Sequence, residues 1–98
     1  MIEIGVLDVT QAKFWPGNLY VTEPVGSKVR REDIVAAVNR HYVGDWGDVC
    51  NEDYQANEEA LAEGGRLFSV YHDRAGVKFW IITESDRSVT TVLLPDDY

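Results

Sequence analysis

Residues 66–95 read RLFSVY-HDRAG-VKFWIIT-ESDR-SVTTVLLP. Three runs rich in β-branched and aromatic residues alternate with two short polar turns, the pattern of an antiparallel meander. A four-residue loop at 73–76, with Gly76 in a left-handed conformation, sets His72 opposite Val77 and Val70 opposite Phe79. A second loop at 84–87 sets Thr83 opposite Ser88. One sheet face then carries Phe68, Val70, Phe79, Ile81, Thr90 and Val92, a bed for helices. The other carries Leu67, Tyr71, Trp80, Ile82, Val89 and Leu93. A glycine bulge in the first turn would move its register by one residue. A sheet with one wet side alternates cleanly between apolar and polar residues. The run 77–83 does not, so its second face calls for cover, either from the N-terminal strands or from a second copy in a homodimer through Trp80, Ile82 and Val89.

Upstream of the meander, Gly64-Gly65 stops a helix over 52–63, for which Asn51 is the expected N-cap. Its apolar stripe is narrow: Tyr54, Ala60 and Leu61. Before it, Arg31-Glu32-Asp33 opens a helix running to Tyr42, with Ile34, Val35, Val38 and Tyr42 on one face. Two further strands are expected, over 2–9 and 18–23, separated by the turn signal Trp15-Pro16-Gly17; Pro24 and Gly26 are read as ending the second. The fold class is therefore α+β: a single domain over 1–98, with a mainly antiparallel sheet of four or five strands and two helices on one face, in the order ββααβββ.

Ninety-eight residues, 45% of them hydrophobic, suffice for one core without staples. The lone Cys50 forms no internal disulfide, and no segment reaches the ~18 apolar residues of a membrane span. A cytoplasmic protein is expected. A net charge of −8 argues against direct binding to nucleic acid, which needs clustered Lys and Arg, and favours a basic protein partner. The asymmetry is steepest over 41–65, which holds seven acidic residues and no Lys or Arg. Glu52, Asp53, Glu58, Glu59 and Glu63 form its candidate interaction face.

The loop HYVGDWGDVC, residues 41–50, sets His41, Asp45, Trp46 and Asp48 among two glycines. Oxygen ligands on such a loop suit a divalent cation, but the spacing is not that of a calcium-binding loop, and no metal site is assigned. Convergence with Glu84, Asp86 and Arg87 of the second turn would supply acid–base groups. A tryptophan between glycines more commonly plugs a core. The chain has no phosphate-cradling glycine loop, nucleophile elbow or cofactor motif, so no cofactor and no catalytic residue is assigned.

The segments RHYVGDWGD (40–48), Asn57 with Ala60-Leu61, GRLFSVY (65–71) and FWIITESDRSVTTVLLPDDY (79–98) resemble a family of small bacterial, plasmid and phage proteins. Loose labels tie its members to plasmids or restriction systems. The resemblance covers roughly the C-terminal 60 residues. It implies a mobile-element or phage context and gives no residue a catalytic role.

Two functions of different class follow. One is a non-enzymatic acidic interaction protein, interfering with or accessory to a nucleic-acid-binding host system. The other is a small-molecule or divalent-cation-binding domain, with a site built from the HYVGDWGD loop and the ESDR turn.

Overall fold

A computed structural model of the chain describes residues 11–98; the strand expected over 2–9 lies outside them. The elements are β1 (Asn18–Val21), α1 (Glu23–Lys28), α2 (Arg31–Tyr42), α3 (Asn51–Glu63), β2 (Leu67–His72), β3 (Lys78–Thr83), β4 (Val89–Leu93) and a closing 3-10 turn (Pro95–Asp97). The fold is α+β, with one four-stranded sheet in the order β1-β4-β3-β2. The meander forms as its sequence dictates, antiparallel throughout; β1 adds to β4 in parallel and makes the sheet mixed.

Four local readings change, the last of them in the second hairpin. Pro24 and Gly26 do not merely end a strand: Pro24 sits in the first turn of α1, where its missing N–H costs nothing. Asn51 is the first residue of α3 and not its N-cap; Cys50 holds that position and makes no side-chain capping bond. The first hairpin is shifted by one residue, pairing His72 with Lys78 and Val70 with Trp80. The cause is a five-residue connection, 73–77, in which Gly76 takes φ +85°. Asp73 holds it, its Oδ1 accepting from the amides of Ala75 at 2.9 Å and Val77 at 2.7 Å.

That shift exchanges the faces of β2. Leu67, Ser69 and Tyr71 join Phe79, Ile81, Thr83, Thr90 and Val92 under the helices, whereas Phe68 and Val70 join Trp80 and Ile82 on the opposite side. The second hairpin is displaced by two residues, with Thr83 opposite Thr90, so parity and faces survive there.

The main core lies between the sheet and α1–α2: Val25, Ile34, Val38 and Tyr42 pack on Tyr71, Phe79, Ile81 and Val92. A satellite cluster joins α3 to the sheet through Trp46, Ala60 and Leu67. The outer edge of β2 is closed by the loop ahead of α3. Val70 N donates to Trp46 O at 3.1 Å and Asp48 N to Val70 O at 2.8 Å. Gly47 makes this approach possible: at φ +74°, a Cβ there would overlap the Val70 carbonyl oxygen and sit 2.8 Å from the Tyr71 ring.

Candidate functional site

His41, near the end of α2, is fully buried beneath the sheet. Its Nδ1 lies 2.6 Å from Ser69 Oγ and its Nε2 2.9 Å from Thr83 Oγ1. Thr83 Oγ1 is 2.8 Å from Thr90 Oγ1, which donates to Pro16 O at 2.7 Å. The polarity of this chain fixes the histidine tautomer. The Pro16 carbonyl only accepts, so the Thr90 hydrogen is spent on it and the Thr83 hydrogen on Thr90. Thr83 must therefore accept, which places the ring proton on Nε2, and Ser69 donates to the bare Nδ1. Burial, reinforced by the Arg87 charge, pushes His41 down to a pKa of about 3. The rings of Phe14 and Trp46 meet it edge-on at 5.5 and 5.6 Å. This is a neutral histidine locking five segments together and fully buried among the described residues.

The remaining loop residues are likewise engaged within the fold. Trp46 is 1% exposed and donates from Nε1 to Glu58 Oε2 at 2.8 Å, so it is the plug that a glycine-flanked tryptophan suggests. Asp45 receives a two-pronged bond from Arg40 at 2.8 and 3.1 Å, which holds its carboxyl below the usual range. Asp48 pairs with His72 at 2.8 Å. In the second turn, Glu84 lies 3.5 Å from Arg66, and Asp86 accepts from the hydroxyl and amide of Ser88. Arg87, at φ +60°, turns its guanidinium onto the end of α3, donating to Gly65 O at 2.6 Å and Ala60 O at 3.1 Å.

Of these seven residues, the structure links His41 with Trp46 by ring contact and Arg87 with the Glu84 carbonyl by hydrogen bonds, while the Arg87 charge helps to lower the pKa of His41. None lines the described cavities: a 130 Å³ cleft between α2 and the first hairpin, a 410 Å³ hollow on the outside of α2, and a 270 Å³ groove on the far sheet face. Among the described residues no three His, Cys, Asp or Glu are placed to hold a metal ion, and no helix is long and apolar enough to cross a membrane.

The five carboxylates of α3 are all exposed. This thirteen-residue helix buries two residues, Asn57 and Ala60. Asn57 meets β2 as a strand would, giving Nδ2 to Phe68 O at 2.7 Å and accepting from Phe68 N at 2.9 Å. At 100° per residue, Glu52, Glu59 and Glu63 fall on the side opposite that contact.

On the far sheet face Trp80 and Val89 are half-buried, and Ile82 is 3% exposed. Part of the cover comes from the C-terminal turn. Tyr98 packs edge-on against Trp80 at 5.8 Å and bonds through its hydroxyl to Arg66, and Thr22 donates to Asp97 at 3.2 Å. By composition residues 95–98 are a short acidic end. The available signal was its tyrosine, an aromatic three residues past a strand-ending proline. Compared with protein-family models, curated proteins and solved structures, the chain matches none.

Proposed function

We propose that the protein is a non-enzymatic interaction module that presents the outer surface of α3 to a basic protein partner. The observation that carries this is the economy of α3's attachment. A helix in a core layer buries a stripe about 100° wide; this one buries two residues and turns Glu52, Glu59 and Glu63 outward. The segment 41–65 itself holds no Lys or Arg, and Arg87 reaches the helix at its C-terminal end. Along the helix axis these carboxylates stand about 10.5 and about 6 Å apart, roughly three and two phosphate steps of one nucleic-acid strand. The partner fitting this spacing is a basic nucleic-acid-binding site. With the resemblance to plasmid and phage proteins, the role is that of a mobile-element factor occupying such a site on a host protein.

The test is a pull-down from host lysate with wild type and with Glu52, Glu59 and Glu63 all changed to Lys. A basic protein retained by wild type and lost by the variant is expected. Recovery of the same proteins by both would refute the proposal.

A further inference from the structure

The cleft between α2 and the first hairpin is lined by Ala36 and Ala37 of α2 and by the buried residues Tyr71 and Phe79 of the sheet. The two small side chains leave 130 Å³ open, room for a few waters or an ion of that size. Two arginines share this lining, and the fold fixes both guanidiniums. Arg74 holds Asp33 through Nε at 3.1 and 3.2 Å and Nη2 at 2.7 Å, and its backbone amide reaches the same carboxylate at 3.2 Å. Arg40 holds Asp45 through the same two nitrogens at 2.8 and 3.1 Å, and lies over the Tyr71 ring at 4.9 Å. Each pairing occupies one edge of the planar fork and so fixes its orientation. Neither Nη1 has a hydrogen-bond partner among the described residues, so each arginine keeps two N–H groups there. His72, also in the lining, engages Asp48 through Nδ1 at 2.8 Å and keeps Nε2.

By charge the described lining is balanced, Arg40 and Arg74 against Asp33 and Asp73. By hydrogen bonding it is not. Asp33 is filled by three nitrogens of Arg74, and Asp73 Oδ1 by the amides of Ala75 and Val77. Donors remain on the two arginines and the histidine, against one open carboxylate oxygen, Asp73 Oδ2. We propose that this cleft binds a small oxyanion, a carboxylate or a phosphate, whose oxygens accept from Nη1 of Arg40 and Nη1 of Arg74. Asp73 Oδ2 suits a ligand that also donates, as the ammonium of an α-amino acid or the P–OH of dihydrogen phosphate does. Tyr71 and Phe79 keep one side of the site dry, where charge-assisted bonds are stronger than in water. Asp33 and Asp45 act as positioning residues, holding the guanidiniums in place. No residue of α3 lines the cleft, so this site stands or falls apart from the acidic surface.

The test is an NMR titration of the whole chain with inorganic phosphate, with L-alanine and, as a control for ionic strength, with sodium chloride. The Arg40 and Arg74 Nε–H signals and the backbone amides of 72–74 are followed. Saturable shifts with phosphate or alanine at a Kd of about 1 mM, and none with chloride, are expected for a ligand of so few atoms. The ligand that binds tells a phosphate site from an amino-acid site. Ala36→Leu fills the cleft from an exposed helix position, and Arg74→Lys keeps the charge but loses the fork; each is expected to weaken binding about ten-fold or more. Silence towards both ligands, or shifts that follow chloride without saturating, would reduce the arginines to ordinary exposed ion pairs and overturn the proposal. Saturable binding that survives both variants would place the anion elsewhere and overturn it as well.

Discussion

His41 satisfies both ring nitrogens with hydroxyls and, among the described residues, bonds no carboxylate, so protonating it inside the fold places a cation where burial disfavours charge. Its pKa falls from 6.5 in the unfolded chain to about 3 in the fold, so between those values the unfolded chain binds the extra proton. The stability from neutral His41 is thus complete above pH 6.5 and is lost as pH falls towards 3. Urea titrations at pH 7.5 and 5.0 are expected to show wild type losing about 2 kcal/mol over that window, before the carboxylates titrate, and His41→Leu losing much less. Equal slopes would contradict the buried neutral histidine. Gly47 is a second single-residue dependence. Gly47→Ala forces a methyl into the Val70 carbonyl at a positive φ, and an urea midpoint corresponding to a loss above about 3 kcal/mol is expected. At this scale the sequence was half legible. Glycines around Trp46 announced an unusual backbone and a plug. The partners of His41 did not show, because Ser69 and Thr83 are 28 and 42 positions away and only the sheet register brings them under α2.

Among the elements, α3 stands apart because polar links bear much of its attachment. Arg87 reaches across from the second hairpin to its last carbonyls, and holds φ +60° to do so. Both Arg87→Ala and Arg87→Gly lose those bonds, but glycine relieves the left-handed strain that alanine keeps. Alanine is therefore expected to destabilise by about 1 kcal/mol more than glycine, with hydrogen exchange at 60–65 accelerated in both. If glycine proves the worse, the strain argument is wrong. Removing Asn57 strands the Phe68 amide and carbonyl, so Asn57→Ala is expected to cost about 2–3 kcal/mol, read from urea unfolding. Strand and helix identities were readable from periodicity. The face of β2 was not, because it depends on whether Gly76 adds one residue to a turn, and one residue exchanges every side chain from one side of the strand to the other. The two-residue error in the next hairpin was harmless for the same reason. The helix at Glu23–Lys28 was hidden because a proline looks alike where it ends a strand and where it starts a helix.

For the whole molecule, the division of labour is between a buried layer that fixes the sheet and an outer rim that carries charge. Helices α1 and α2 and the His41 chain close one face; α3 and the groove by Trp80 lie along the edge and the other face. Composition told of an acidic surface and the meander told of apolar residues on both faces, which is as far as a sequence without a chemical motif goes towards function. The reading that α3 occupies a basic nucleic-acid-binding site has a direct consequence: protein and nucleic acid must exclude one another. The deciding measurement is the anisotropy of a fluorescent DNA duplex bound to the basic partner recovered by pull-down, followed as this protein is added. Displacement of the duplex by wild type, and none by the chain with Glu52, Glu59 and Glu63 changed to Lys, is the result expected. A ternary complex in which duplex and wild-type protein remain bound together would contradict it.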